Sequence, residues 1–168
     1  KGYNSFENVL SGGLTPLSPD DFEATAEESG ALILDTRNDK IFSKAFIPQS
    51  VNIGIDGDFA PWVGAMLADV GQPILLVTEV GREEETVTRL SRVGFDKVLG
   101  YLKGGFEAWA KAGKETDQVN RITAGEFASR LNVYQDKVID VRRESEYTAE
   151  HVEESYNRPL DAINDWVK

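Results

Sequence analysis

The chain of 168 residues contains no cysteine, one histidine and one methionine. Without a thiol, these residues hold no disulfide, no thiolate metal site and no cysteine nucleophile. A lone histidine, His151, leaves no histidine–carboxylate cluster of the kind that holds a catalytic metal. No run approaches eighteen consecutive apolar residues, so no membrane-spanning helix is expected. No charged-then-apolar leader opens the chain either. Positive charge is scarce: 18 Lys and Arg stand against 29 Asp and Glu, a formal net charge of −11. Nucleic acid and anionic membranes require cationic patches, so neither is an expected partner. The acidic balance suits a soluble, cytoplasmic surface. No glycine pattern matches a nucleotide-binding loop.

The sequence lies on itself without a gap when displaced by 105 positions. Asp35, Arg37, Ser50, Asn52 and Asp56 fall on Asp140, Arg142, Ser155, Asn157 and Asp161. Phe22 falls on Phe127, Phe42 on Tyr147 and Ile47 on Val152. A period of about a hundred residues is domain-sized and too long for a solenoid unit. The chain is therefore expected to be one whole domain followed by the first half of a second copy, within a longer protein. Half a domain would leave apolar surface and strand edges uncovered. Residues 122–168 are thus expected to pack on the first domain or to pair with another chain, as in a homo-oligomer.

Residues 1–16 hold Gly2, Gly12, Gly13 and Pro16 among few periodic apolar positions and read as a connector from an upstream domain. Ser18-Pro19-Asp20-Asp21 has the chemistry of a helix start: a capping hydroxyl, proline in the first turn, then acids. Ala31-Leu32-Ile33-Leu34, Val51-Asn52-Ile53, Ile74-Leu75-Leu76-Val77 and Lys97-Val98-Leu99 read as short buried strands. Helical stretches are expected across Trp62 to Leu67, Glu83 to Val93 and, after Gly104-Gly105, through Trp109. Strands alternating with helices imply an α/β fold, a central parallel sheet with helices on both faces. From Arg121 the pattern restarts: Thr123 caps a helix through Leu131, and a strand covers Lys137 to Val141.

In open parallel sheets, ligand sites gather at the carboxyl ends of the strands. Thr78 holds that place after the clearest strand, and the turn Glu79-Val80-Gly81-Arg82-Glu83 leads into a helix. Amides of such a turn could face an anion. Against this, Glu83, Glu84 and Glu85 suit a first helical turn, where they complement the helix dipole, and Glu85 can pair with Arg89. Arg82 could hold an anion, be solvated or pair with Asp35. Asp35 and Arg37 follow a strand and recur as Asp140 and Arg142, a pattern that fits fixing loop geometry.

Leu34-Asp35-Thr36-Arg37, Ile47 to Ile53, Ile74 to Arg82 and Gly100 to Trp109 follow one another in the order and spacing of a rhodanese. Across residues 17–115 the chain resembles a rhodanese-like domain. Val138-Ile139-Asp140-Val141-Arg142, Glu146-Tyr147 and His151-Val152 resemble the opening of a second, within residues 116–168. Gly81 to Glu85 and Arg92 to Phe95 further resemble rhodanese modules attached behind metallo-β-lactamase-fold hydrolases related to persulfide dioxygenases.

The resemblance implies that Thr78 stands where sulfurtransferases carry a persulfide-forming cysteine. A hydroxyl cannot carry a sulfane sulfur, and no histidine lies in the first repeat to activate it. Phe46 stands where many relatives have a histidine. Glu79 and Glu83 would repel thiosulfate or phosphate by about 1 kcal/mol each at 4 Å in water. Both rhodanese and phosphatase chemistry are therefore unexpected here.

The turn from Thr78 to Glu83 is expected to be a degenerate active-site loop, with Asp35, Arg37, Asp140, Arg142 and His151 supporting such loops. The implied whole is a catalytically silent module of a metallo-β-lactamase-fold hydrolase or dioxygenase. It would position sulfur substrates, dock partners or stabilise the assembly. No cofactor is expected in these residues, while an upstream domain of the same chain would hold iron or zinc. The alternative is an active tandem sulfurtransferase whose cysteine lies near position 183, in the rest of the second repeat. Whether the whole protein is an enzyme is left open by these residues.

Overall fold

The structure, a computed structural model, describes residues 6–134 and 138–167. Residues 1–5 of the expected connector and Lys137 of the expected second-copy strand lie outside the described residues. The chain divides into two compact units. The first comprises residues 1–63 and 69–120, the second 64–68 and 121–168.

The first unit begins with α1 (Phe6–Gly13), β1 (Pro16–Leu17), α2 (Pro19–Ser29), β2 (Leu32–Asp35), α3 (Asp39–Phe42) and β3 (Val51–Asn52). It continues with α4 (Phe59–Met66), of which residues 59–63 fall in this unit, β4 (Ile74–Val77), α5 (Glu83–Ser91), β5 (Val98–Leu102) and α6 (Gly105–Lys111). The strands form one parallel sheet in the order β1-β5-β4-β2-β3, with flanking helices. This is the α/β architecture expected from the alternation of strands and helices. All four residues of β4, the middle strand, are buried, which explains its unbroken apolar sequence. Phe22, Ile47, Leu75, Val77, Leu102 and Trp109 form a core cluster, and Phe22 meets Trp109 edge-on at 6.1 Å. The Ser18 side chain accepts the Asp21 N–H, as the sequence chemistry suggests, and Gly30 ends α2 in the left-handed conformation.

Residues 6–17 form more than a connector. Helix α1 buries Val9 and packs against α5 and β5. Its Gly13 is read easily as a loop signal, but a Cβ there would lie 2.8 Å from the Val87 side chain. The glycine permits close helix approach. Strand β1 pairs with β5 through Pro16 and Leu17. The first unit also runs past residue 115, because Phe46 and Asp117 exchange two backbone hydrogen bonds of 2.9 Å and Val119 N–H donates to Ser43.

The second unit contains α7 (Ala124–Ser129), α8 (Leu131–Tyr134), β6 (Ile139–Asp140), α9 (Glu144–Ala149), β7 (Tyr156–Asn157), a 3-10 turn (Leu160–Ala162) and α10 (Ile163–Trp166). Thr123 caps α7 in a reciprocal box with Glu126. Strands β6 and β7 are parallel, pairing Ile139 with Tyr156 and Asp140 with Asn157. Among the described residues, no helix is long and apolar enough to cross a membrane.

Candidate functional site

Strand β4 delivers Thr78 to the carboxyl edge of the sheet, where it is 2% exposed and its hydroxyl has no hydrogen-bond partner among the described residues. The chain then turns through Glu79 to Arg82, closed by the Arg82 N–H donating to Glu79 at 3.1 Å. Gly81 takes φ +93°, which favours glycine. The Gly81 N–H donates to both carboxylate oxygens of Glu83, at 3.1 and 2.9 Å. An amide that an incoming anion would need is thus occupied by the chain's own carboxylate.

Arg82 does not meet Asp35. Its guanidinium donates to Asp56, at 3.1 and 2.9 Å, and to Glu85, at 2.9 and 3.1 Å. These bonds hold the carboxyls of Asp56 and Glu85 below their ordinary range and push Arg82 above its own. Arg89 lies 3.6 Å from Glu85, so the expected pair exists as the weaker arm of this cluster. Glu83, Glu84 and Glu85 all occupy the first turn of α5.

Asp35 and Arg37 form a buried fork. Arg37 donates from Nε to both Asp35 oxygens at 3.0 Å and from Nη2 to one at 2.6 Å, and its backbone N–H donates to the same carboxylate. Nη2 also donates to Ala45 O, and the guanidinium lies 4.2 Å from the Phe106 ring centre. Asn52 Nδ2 donates to the carbonyls of Asp35 and Arg37. Phe46 stacks on Phe42 with ring centres 4.3 Å apart.

The same frame recurs in the second unit. Arg142 donates to Asp140 and to Glu150 O, and Asn157 Nδ2 donates to the carbonyls of Asp140 and Arg142. Gln49 and Glu154, one repeat apart, both take positive φ, at 64° and 63°. His151 stacks on Tyr147 at 4.0 Å, as Phe46 does on Phe42, and its Nδ1 lies 2.8 Å from Tyr147 O. The histidine is held by its own helix end. The Arg142 bonds also depress the carboxyl of Asp140.

A cavity of about 520 Å³ opens beside Thr78, lined by Ile41, Ala45, Val80, Gly105 and Phe106 among others. Gly105, with φ +63°, lets the backbone close on it: a Cβ there would sit 3.1 Å from Thr78 O. Thr78, Glu79, Val80 and Arg37 are brought to this cavity. Gly81, Arg82 and Glu83 do not line it, and Asp140, Arg142 and His151 belong to the second unit. Among the described residues, no cluster of histidine and carboxylates could hold a metal ion. Sequence reasoning missed the Glu83–Gly81 bond and the Asp56–Arg82 pair. The repeat singled out Asp56 but gave no sign of its partner.

The profile of the rhodanese-like domain matches residues 18–112, more than half of the chain. The rhodanese-like domain of the Alr3790 protein of Anabaena sp. is similar, with a TM-score of 0.55 and 23% identity over 67% of this chain and 86% of that one. The thiosulfate sulfurtransferase of Pseudomonas aeruginosa superposes with a TM-score of 0.52 and 19% identity, over 94% of this chain and 38% of its own. The BH2092 protein of Bacillus halodurans gives a TM-score of 0.52 at 14% identity, over 74% of this chain and 96% of that one. No curated protein matches the chain.

Proposed function

This chain belongs to the family of rhodanese-like domains, and on that premise we propose that it is a catalytically silent module of a larger cytoplasmic protein. One observation carries the reading. The chain has no cysteine to supply the thiolate that sulfur-transfer chemistry requires, Thr78 stands where the resemblance puts it, and the adjoining Gly81 amide is taken by Glu83. A buried hydroxyl without a base partner is a poor nucleophile and cannot form a persulfide. The module serves instead in docking, assembly or the positioning of sulfur substrates. Its larger protein is a metallo-β-lactamase-fold hydrolase of the persulfide dioxygenase kind, with iron or zinc in the upstream domain. The Gly81–Glu85 and Arg92–Phe95 segments support that assignment.

Purified chain incubated with thiosulfate and cyanide should form no thiocyanate above the uncatalysed rate. Robust formation overturns the silent reading. Thr78→Cys alone should remain inactive, because Glu83 and Glu79 still oppose an anionic donor. Metal analysis of the full-length protein tests the second part, and a protein free of both iron and zinc would refute it.

A second reading is favoured by the recurrence of the Asp–Arg–Asn frame 105 residues on. In this reading the second unit is the start of another rhodanese-like domain, completed by a cysteine-bearing loop near position 183. Ile139 in β6 and Val141 just after it are exposed, where the corresponding β2 is covered by β4. Self-association through that edge is the accompanying expectation for this chain alone.

A further inference from the structure

We propose that a second cavity, at the amino-terminal end of β2, binds a small alkylammonium ligand. It opens beside Leu32, Ile33 and Gln72, at the end of the sheet opposite Thr78, and is independent of the silent reading. The cavity, about 540 Å³, is within the size range of small-molecule pockets. Ala26, Ala31, Ile33, Ile47 and Trp109 give it an apolar floor continuous with the core cluster. Burial there stabilises an aliphatic stem.

The charges lining this cavity are of one sign. Glu23, Glu27 and Glu115 line it, and no lysine, arginine or histidine does. Lys114, beside it, is shared by Asp20 and Glu23 at 2.6 Å each, so it balances only one of those two carboxylates. Glu27 and Glu115 are exposed, and their carboxylates meet no cation among the described residues. Four carboxylates thus stand against one ammonium, a local surplus of acid that selects a cation and rejects an anion. Helix α2 also ends here at Gly30, with no basic residue in its last turn, and its carbonyl end favours positive charge. The chain's own ammonium sets the precedent: Lys114 Nζ lies against Glu23 and 5.9 Å from the Trp109 ring centre. A free alkylammonium would lay its stem on the same floor and meet Glu27 and Glu115.

The test is an amide-shift titration of the whole chain with butylammonium. Shifts should gather at Ala31, Ile33, Gln49 and the Trp109 indole N–H, and not at Val80 or Phe106. The neutral isostere 1-butanol should bind roughly tenfold more weakly or worse, and methylammonium roughly fivefold more weakly or worse, having no stem to bury. Glu27→Gln and Glu115→Gln should each weaken butylammonium about fivefold, the loss for one charge about 4 Å away in water. Unchanged amide shifts in β4 would show an intact fold. Flat titrations overturn the proposal, as does equal binding of 1-butanol or of methylammonium, or an affinity unmoved in the double variant. A blocked glycine–lysine–glycine peptide carries the same stem. Were it to bind roughly tenfold more tightly than butylammonium, the cavity would be a protein-docking surface and the proposal would fall too. None of these outcomes alters thiocyanate formation, so the silent reading stands or falls separately.

Discussion

Replacing Asp35 by alanine should be among the most damaging single changes in the first unit. The Asp35 and Arg37 side chains are 0% and 7% exposed. The carboxylate receives Nε, Nη2 and the Arg37 backbone N–H, so its removal leaves a buried guanidinium with Ala45 O and an aromatic face. Removing one partner of a buried ion pair costs about 3–5 kcal/mol, because the other charge is stranded. A domain's whole stability is about 5–15 kcal/mol. The second unit supplies the control. Asp140 and Arg142 make the same bonds, with the same 2.6 Å contact, but the Arg142 side chain is 46% exposed. Water can take over its hydrogen bonds, so Asp140→Ala should cost much less than Asp35→Ala. Denaturant midpoints, combined with amide exchange at Thr36 and Ile53 for the first unit and at Arg158 and Leu160 for the second, separate the two losses. Equal losses would refute the argument that burial sets the worth of this frame, as would a loss below about 1 kcal/mol for Asp35→Ala.

Gly105→Ala should destabilise by about 1–3 kcal/mol, since φ +63° disfavours a side chain and the new Cβ would crowd Thr78 O. Thermal unfolding measures the cost, and a neutral result would show that the loop yields. Arg82 holds Asp56 and Glu85 below their ordinary values, so folding favours their charged forms. Their contribution is complete above the unfolded carboxyl range, about 4, and is lost as pH falls through the lower folded values. Carboxyl resonances of both residues should therefore titrate low, and Arg82→Ala should move both midpoints upward. Midpoints that stay in place would mean that Arg82 is not their cause.

Much of the sheet could be read directly, because buried parallel strands leave an unbroken apolar trace. Ile74 to Val77 is the clearest case, buried at all four positions. The repeat was equally informative: displaced by 105 positions, Asp, Arg and Asn reappear in the same hydrogen-bond frame. Helix α1 was hidden because Gly12 and Gly13 imitate a loop, while its packing depends on having no side chain at Gly13. At the site, the position of Thr78 was legible from strand order. What surrounds it was not, since Asp56 and Arg82 lie 26 residues apart and meet only through the fold. The Glu83–Gly81 bond spans two residues, yet helix-dipole chemistry already accounted for that glutamate.

The segment that reads as a connector matters for anyone who trims this protein. The family match starts at residue 18, and a chain cut there would lose α1 and β1 together. The N–H groups of Tyr101 and Lys103 would lose Thr15 O and Leu17 O as acceptors, turning β5 into an open edge. Val87 and Val98, now pressed against Gly13, would be stripped of their cover. Such a shortened protein is expected to stick to itself through that raw flank. The usable boundary of the domain lies ahead of Phe6.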